Sequence, residues 1–156
     1  MVSAMTTVLF VCWGNICRSP MAERVARRRA EEQGLDIRIE SFGVSSEEVG
    51  NPIDPRAART LERAGYDASG HTARKIGAAQ IKAADLVIAA EQLHVDRLLR
   101  IAPGATNIAL INDCNPDKPT GEALVDPWYG TDEGFERTLA DIEAAVDGVL
   151  LAVSRR

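Results

Sequence analysis

Hydrophobic positions fall into short unbroken blocks separated by longer periodic stretches. Residues 6–12 (Thr-Thr-Val-Leu-Phe-Val-Cys) are a β-branched, apolar run, the pattern of a strand buried on both faces. Residues 18–33 read as a long helix, and Gly34 is its stop. From 37 to 42, Ile37, Ile39 and Ser41 alternate with polar neighbours, giving a second strand; the polar stretch 43–54, with Gly50 and Pro52, is a loop. Residues 55–64 read as a helix ending at Gly65, and 78–83 as a short helix. Asp85–Ala90 is a third buried strand, 92–101 a helix stopped by Pro103-Gly104, and 106–111 a fourth strand. The last helix runs from Thr131, a candidate N-cap with Glu133 in the first turn, to about residue 153.

Strands alternating with helices imply parallel pairing through right-handed crossovers, an α/β fold. No repeat, linker or low-complexity segment interrupts the pattern, so the expectation is a single domain over 1–156 with a flexible N-terminus at 1–5. Residues 112–130 hold Pro116, Pro119 and Pro127. That stretch is too long for a mere connection and is a functional candidate.

Composition narrows the classes. The 156 residues are 46% hydrophobic, enough for a real core, and 26% charged. A net charge of -5 argues against a nucleic-acid or anionic-membrane binder, though not against one local basic pocket. No stretch approaches the roughly 20 apolar residues that span a bilayer. The block Val8–Val11 is too short, and lacks the basic flank, for a signal peptide. A cytoplasmic protein is therefore expected. Three cysteines, Cys12, Cys17 and Cys114, make no disulfide framework and point to chemistry or buried thiols.

The sharpest local feature is the run Cys12-Trp13-Gly14-Asn15-Ile16-Cys17-Arg18-Ser19-Pro20. A cysteine ends a predicted strand and an arginine opens a predicted helix. In an open α/β sheet, ligands bind beyond the carboxyl ends of the strands. There, loop amides and a helix N-terminus make an anion site, and Arg18 adds a planar two-pronged clamp on phosphate oxygens. Gly14 allows the loop to curl around the anion. The same positive field favours a thiolate at Cys12, hence a nucleophile. Ser19 can donate a hydrogen bond to that sulfur, and Asn15 can hold the loop in shape through its side chain.

This run strongly resembles the signature of the low-molecular-weight protein tyrosine phosphatases. The likeness continues in family order through Asp54-Pro55-Arg56-Ala57, His71-Thr72-Ala73-Arg74, Asp85-Leu86-Val87 and Asp126-Pro127-Trp128-Tyr129-Gly130. The resemblance implies a three-layer α/β sandwich, a four-stranded parallel sheet with helices on both faces. It implies hydrolysis of protein phosphotyrosine and aryl phosphate monoesters through a cysteinyl-phosphate intermediate. Cys12, Arg18 and Asp126 are the implied catalytic residues, with Asp126 as general acid, kept protonated by the apolar, aromatic run around it. Residues 13–18 (Trp13, Gly14, Asn15, Ile16, Cys17 and Arg18) are the implied phosphate-binding loop. Ser19, Ser41 and His71 support it, and Trp13, Glu47, Trp128 and Tyr129 form the wall for the substrate ring. Cys17 matches the family's second loop cysteine, which can pair reversibly with the nucleophile.

The resemblance further implies a monomer acting in signalling on phosphotyrosine-containing proteins. Phosphate and similar oxyanions would be its ligands or inhibitors. It would need no metal or other cofactor, and no nucleic-acid or membrane partner. Cys114 has no assigned role. His94 is expected at the surface of an amphipathic helix, and Arg27-Arg28-Arg29 on a solvated face. One departure stands out. The loop after the second strand lacks the aromatic residue of many family members and reads Ser45-Ser46-Glu47-Glu48. Two carboxylates at the mouth would disfavour acidic phosphopeptides.

Three competing readings remain beside it. Thioredoxin-coupled arsenate reductases resemble the same loop, but they need further cysteines downstream, and residues 75–95 have none. Phosphoarginine phosphatases of the family tend to carry threonine where this chain has Ile16. A silent phosphotyrosine-binding module would need neither nucleophile nor acid.

Overall fold

Strand β1, Thr6–Cys12, is apolar and buried from Val8 onward because it is an inner strand of the sheet and helices cover both of its faces. Its side chains alternate between two cores. Val8, Phe10 and Cys12 face one way, and Leu9 and Val11 the other. The computed structural model describes residues 5–154, so the N-terminal segment expected at 1–5 lies outside the described residues except for Met5.

After β1 come α1 (Arg18–Glu32), β2 (Ile37–Gly43), α2 (Pro55–Arg63), α3 (Ala78–Ala83), β3 (Leu86–Ala89), α4 (Gln92–Ile101), β4 (Ile108–Leu110) and α5 (Asp132–Ser154). The sheet is fully parallel in the order β2-β1-β3-β4. Helices α1, α2 and α5 pack on the face of Val8 and Phe10, and α3 and α4 on the face of Leu9 and Val11. This is the three-layer α/β sandwich expected from the sequence. Every strand therefore ends at the same edge, and the crevice beyond β1 opens where neighbouring crossovers leave for opposite faces.

Local chemistry explains the boundaries. Asp54 caps α2, its carboxylate accepting from the Arg56 amide at 2.8 Å, with Pro55 as the first helical residue. Helix α5 buries Phe135, Leu139, Ile142, Val146, Val149 and Val153 along one stripe. Gly148 lies where α5 crosses residues 111–114: a Cβ there would stand 2.2 Å from the Cys114 carbonyl oxygen, so no other residue fits.

Three expectations are corrected. Strands β3 and β4 are shorter than the blocks 85–90 and 106–111. Asp85 takes the Thr7 amide with its side chain at 2.8 Å, and Asn107 spends its amide group on the Ile81 and Ala84 carbonyls. The loop 112–130 is bounded by two 3-10 turns, at 111–114 and 127–129. The arginine run is not simply solvated. Arg27 donates to the Ile39 carbonyl, Arg28 to that of Gly65, and Arg29 pairs with Asp147, so each ties α1 to a different element.

Candidate active site

The turn from β1 into α1 is held from behind by one side chain. Asn15 is the non-glycine residue with a left-handed backbone, φ 61°, a conformation Asn tolerates better than most residues. Its buried amide group donates to Ser19 Oγ (2.9 Å) and Ser41 Oγ (3.0 Å), while its Oδ1 accepts from the Arg74 amide (2.9 Å). The Asn15 carbonyl takes a 2.6 Å bond from His71 Nε2, which sets the tautomer with the proton on Nε2. Burial pushes the His71 pKa down, opposed by that carbonyl and by Glu23, so the ring is neutral near pH 7. Gly43, at the end of β2, lies against the same turn. A Cβ there would meet the Trp13 carbonyl oxygen at 2.7 Å.

The Cys12 sulfur lies at the base of this turn. It accepts from the Ser19 amide at 3.4 Å and stands 3.0 Å from Ser19 Oγ. Asn15 already donates to that hydroxyl, which leaves the hydroxyl proton for the sulfur rather than for the more distant Phe42 carbonyl at 3.4 Å. Arg18 is buried. Its Nη1 donates to Glu91 Oε2 (2.8 Å) and the Leu124 carbonyl (2.7 Å), and its Nη2 lies 3.6 Å from Asp126 Oδ2.

A cavity of about 460 Å³ opens over these groups, lined by Cys12, Trp13, Gly14, Ile16, Cys17, Arg18, Glu47, Glu48, Glu91, Leu93, His94, Asp126, Trp128 and Tyr129. The three expected catalytic positions and the four expected wall positions all face it. Of the expected phosphate-binding positions only Asn15 does not, because its side chain is turned back into the network with Ser19, Ser41 and Arg74. Ser19, Ser41 and His71 stand behind the turn. The indole of Trp13 is clamped at the rim: its Nε1 donates to Glu47 at 3.0 Å and Arg97 stacks on the ring at 4.8 Å. Asp126 is 39% exposed, less sheltered than its apolar neighbours suggested. Its Oδ1 caps the 127–129 turn by accepting from the Trp128 amide at 3.0 Å.

Cys17 is buried, and that burial, with the charges of Asp54, Cys12 and Asp126, holds its thiol far above the usual range. It is thus a neutral thiol at physiological pH. Both loop cysteines are free, as is Cys114, which is half-buried with its thiol pKa raised by that burial.

Three cavity residues, Glu91, Leu93 and His94, escaped the sequence reading. His94 is 1% exposed rather than on the surface. It sits one turn before Leu98 on the buried face of α4, its Nδ1 has no partner, and burial with the nearby Arg18 lowers its pKa to about 4. Glu91, which anchors Arg18, follows β3 directly. A carboxylate just past the end of the strand beside β1 was the signal for it, since ligands gather at that edge. Among the described residues, no group of three or more His, Cys, Asp or Glu is arranged to hold a metal ion.

Comparison with known proteins gives the family and the fold. The model of the family described as low molecular weight phosphotyrosine protein phosphatase matches residues 7–156. A low molecular weight protein-tyrosine-phosphatase of Streptomyces coelicolor is 40% identical over 152 residues, covering 94% of this chain and 92% of the relative. The Homo sapiens low molecular weight phosphotyrosine protein phosphatase is 34% identical over 139 residues, 85% of this chain and 86% of the relative. Among solved structures, a protein tyrosine phosphatase from Entamoeba histolytica with Hepes in the active site superposes with a TM-score of 0.90 at 27% identity, covering 96% of this chain and 97% of that one.

Proposed function

The chain belongs to the low molecular weight phosphotyrosine protein phosphatase family and is an enzyme of that class, and we propose that it hydrolyses protein phosphotyrosine and aryl phosphates through a phosphocysteine formed on Cys12. The observation that carries the proposal is the meeting of the Cys12 sulfur, the Arg18 guanidinium and the Asp126 carboxyl in one cavity. Arg18 Nη1 is fully engaged by Glu91 and Leu124, which orients the guanidinium and leaves Nε and Nη2 for two phosphate oxygens. The Ser19 amide and hydroxyl both lie within hydrogen-bond reach of the sulfur and hold it at the base of the cavity.

In the first step the sulfur attacks phosphorus, the P–O bond to the phenol breaks, and Asp126 gives its proton to the departing oxygen. Loop amides and Arg18 hold the charge of the transferring group. In the second step Asp126, now a carboxylate, takes a proton from water as that water attacks phosphorus. The S–P bond breaks, and inorganic phosphate and the thiolate remain. Trp13 on one side and Trp128 and Tyr129 on the other are the surfaces for a flat phenyl ring. Glu47 and Glu48 at the mouth, with one carboxylate held on Trp13, support slower turnover of acidic phosphopeptides than of neutral or basic ones. Rates on peptides that differ only in flanking charge check this; equal rates at low salt would refute it.

The proposal extends to one domain, a cytoplasmic monomer taking phosphate and similar oxyanions as inhibitors, with no metal, nucleic-acid or membrane partner; the net charge of -5 supports the last two points. Light scattering and assay in chelator address the monomer and the metal. The central experiment is turnover of p-nitrophenyl phosphate and a phosphotyrosine peptide with rapid quenching. A burst of phenol and a phosphoenzyme that is absent from Cys12→Ser are expected, and turnover surviving that substitution would defeat the reading.

A further inference from the structure

The site contains a connection that neither nucleophile nor acid accounts for. Asp54, buried at the start of α2, donates its amide to the Ile16 carbonyl at 2.9 Å and so grips the anion loop. Its carboxylate holds Arg56 by three bonds: Oδ1 takes the Arg56 amide (2.8 Å) and Nε (3.2 Å), and Oδ2 takes Nη2 (3.1 Å). The remaining guanidinium nitrogen, Nη1, donates to the Trp128 carbonyl at 3.1 Å. The flat guanidinium also lies over two rings, 5.1 Å from the centre of Trp128 and 4.8 Å from that of Phe135, which is fully buried on α5.

The acid loop has few other tethers. Before Asp126, the Leu124 amide donates to the Ala90 carbonyl at 2.8 Å, Arg18 Nη1 to the Leu124 carbonyl at 2.7 Å and Thr138 Oγ1 to the Val125 carbonyl at 3.3 Å. Beyond Asp126, Arg56 grips the chain two residues on, at the end of the turn that Asp126 itself caps. The chain is thus pinned on both sides of the carboxyl, and the second pin is bonded back to the anion loop.

Resting on the reading of Asp126 as general acid, we infer that Arg56 is a positioning residue: with Asp54 it forms a strut that sets the distance from the phosphate-holding loop to the acid. An arginine suits this task. Its planar fork meets the carboxylate with two nitrogens while the guanidinium lies over aromatic rings. Lysine keeps the charge and loses the plane.

Leaving-group dependence separates positioning of an acid from general support. In Arg56→Ala, Arg56→Lys, Asp126→Ala and the double variant Arg56→Ala/Asp126→Ala, kcat and KM are measured on aryl phosphates whose phenols range from poor to good leaving groups. Arg56→Ala is expected to lower kcat about 10–100-fold on the poorest leaving group, since an acid displaced by about 1 Å loses most of its benefit. The loss shrinks toward the wild-type rate on the best leaving group. KM and inhibition by inorganic phosphate stay near wild type, because the anion loop keeps its own network. Arg56→Lys shows the same trend with a smaller loss. In the double variant the Arg56 change adds nothing to Asp126→Ala.

A loss equal across all leaving groups, or a double variant slower by the product of the two single effects, overturns the inference. Should Arg56→Ala fail to fold, Arg56→Lys carries the same test, and a wild-type leaving-group slope in that variant overturns it too. If Asp126→Ala itself shows no leaving-group dependence, the acid assignment falls and the strut with it. If Asp126→Ala shows it and the Arg56 variants do not, the strut alone is refuted.

Discussion

The two segments that meet at the cavity are built in opposite ways. The turn at 12–18 is buried and bound from behind: one asparagine side chain reaches Ser19, Ser41 and Arg74, and a histidine closes on its carbonyl. The stretch 125–130 is open. Trp128 is 43% and Tyr129 89% exposed, and the chain hangs from Leu124, Thr138 and Arg56. A site for a tetrahedral anion needs fixed donors, and fixing them requires the core. An acid that must approach a leaving group and then let product go needs a segment whose displacement disturbs little else. Damage to the side chains that brace the first segment from behind should therefore reach stability, whereas damage to the second segment should reach turnover alone.

The largest effect expected from breaking that contrast is at the nucleophile. Cys12→Ser should abolish turnover while leaving inorganic phosphate binding measurable by calorimetry and the melting temperature little changed. Asp126→Ala comes next: kcat should fall roughly 10²–10⁴-fold, the range for a lost general acid, with the loss shrinking on good leaving groups and stability unaffected. Urea unfolding should place Asn15→Ala third, at about 3 kcal/mol, because three hydrogen bonds of a buried side chain are lost and alanine must hold a left-handed backbone. Asn15→Gly, which relieves only the backbone, should recover about 1 kcal/mol of that.

His94 gives a smaller, pH-dependent test. Its folded pKa, about 4, lies below its unfolded value near 6.5, so the unfolded chain binds the proton first. The stability tied to the neutral ring is complete above about pH 6.5 and is lost as pH falls toward about 4. Between about pH 7 and pH 4.5 that loss comes to about 2 kcal/mol. The groups facing this ring are Arg18, Glu91 and Asp126. His94→Leu should remove this part of the acid sensitivity in thermal melts at the two pH values. An unchanged slope would mean the ring titrates normally. Smallest of all, Tyr129→Ala should shift stability by less than about 0.5 kcal/mol, as exposed side chains do, and act on KM for aryl phosphates.

Much of this molecule was legible from local rules, and the failures share one cause. Helices α3 and α4 begin and end where residue pattern and the Gly, Pro and Ala signals put them. β4 did not, because Asn107 answers to carbonyls of α3 far away in sequence. The cavity residues in the turn after β1 and in the 126–129 run could be named because each is a short contiguous motif. Glu91, His94 and Arg56 belong to helix ends and faces whose neighbours no window of sequence contains. An amphipathic helix shows that His94 lies near a face boundary, and only packing decides that the boundary is buried.

By itself, the amino-acid sequence determined the alternation of strands and helices, the parallel sheet it implies, and the turn that joins the end of β1 to α1, because period, turn chemistry and spacing act over a few residues. The tertiary structure alone decided that Glu91 would orient Arg18, that His94 would be buried without a partner for Nδ1, and that Asp54 and Arg56 would join the turn after β1 to the 126–129 run through an Arg56–Trp128 bond spanning 72 residues. Those contacts depend on distances that exist only once the sheet has closed and its strand ends have been brought to one edge.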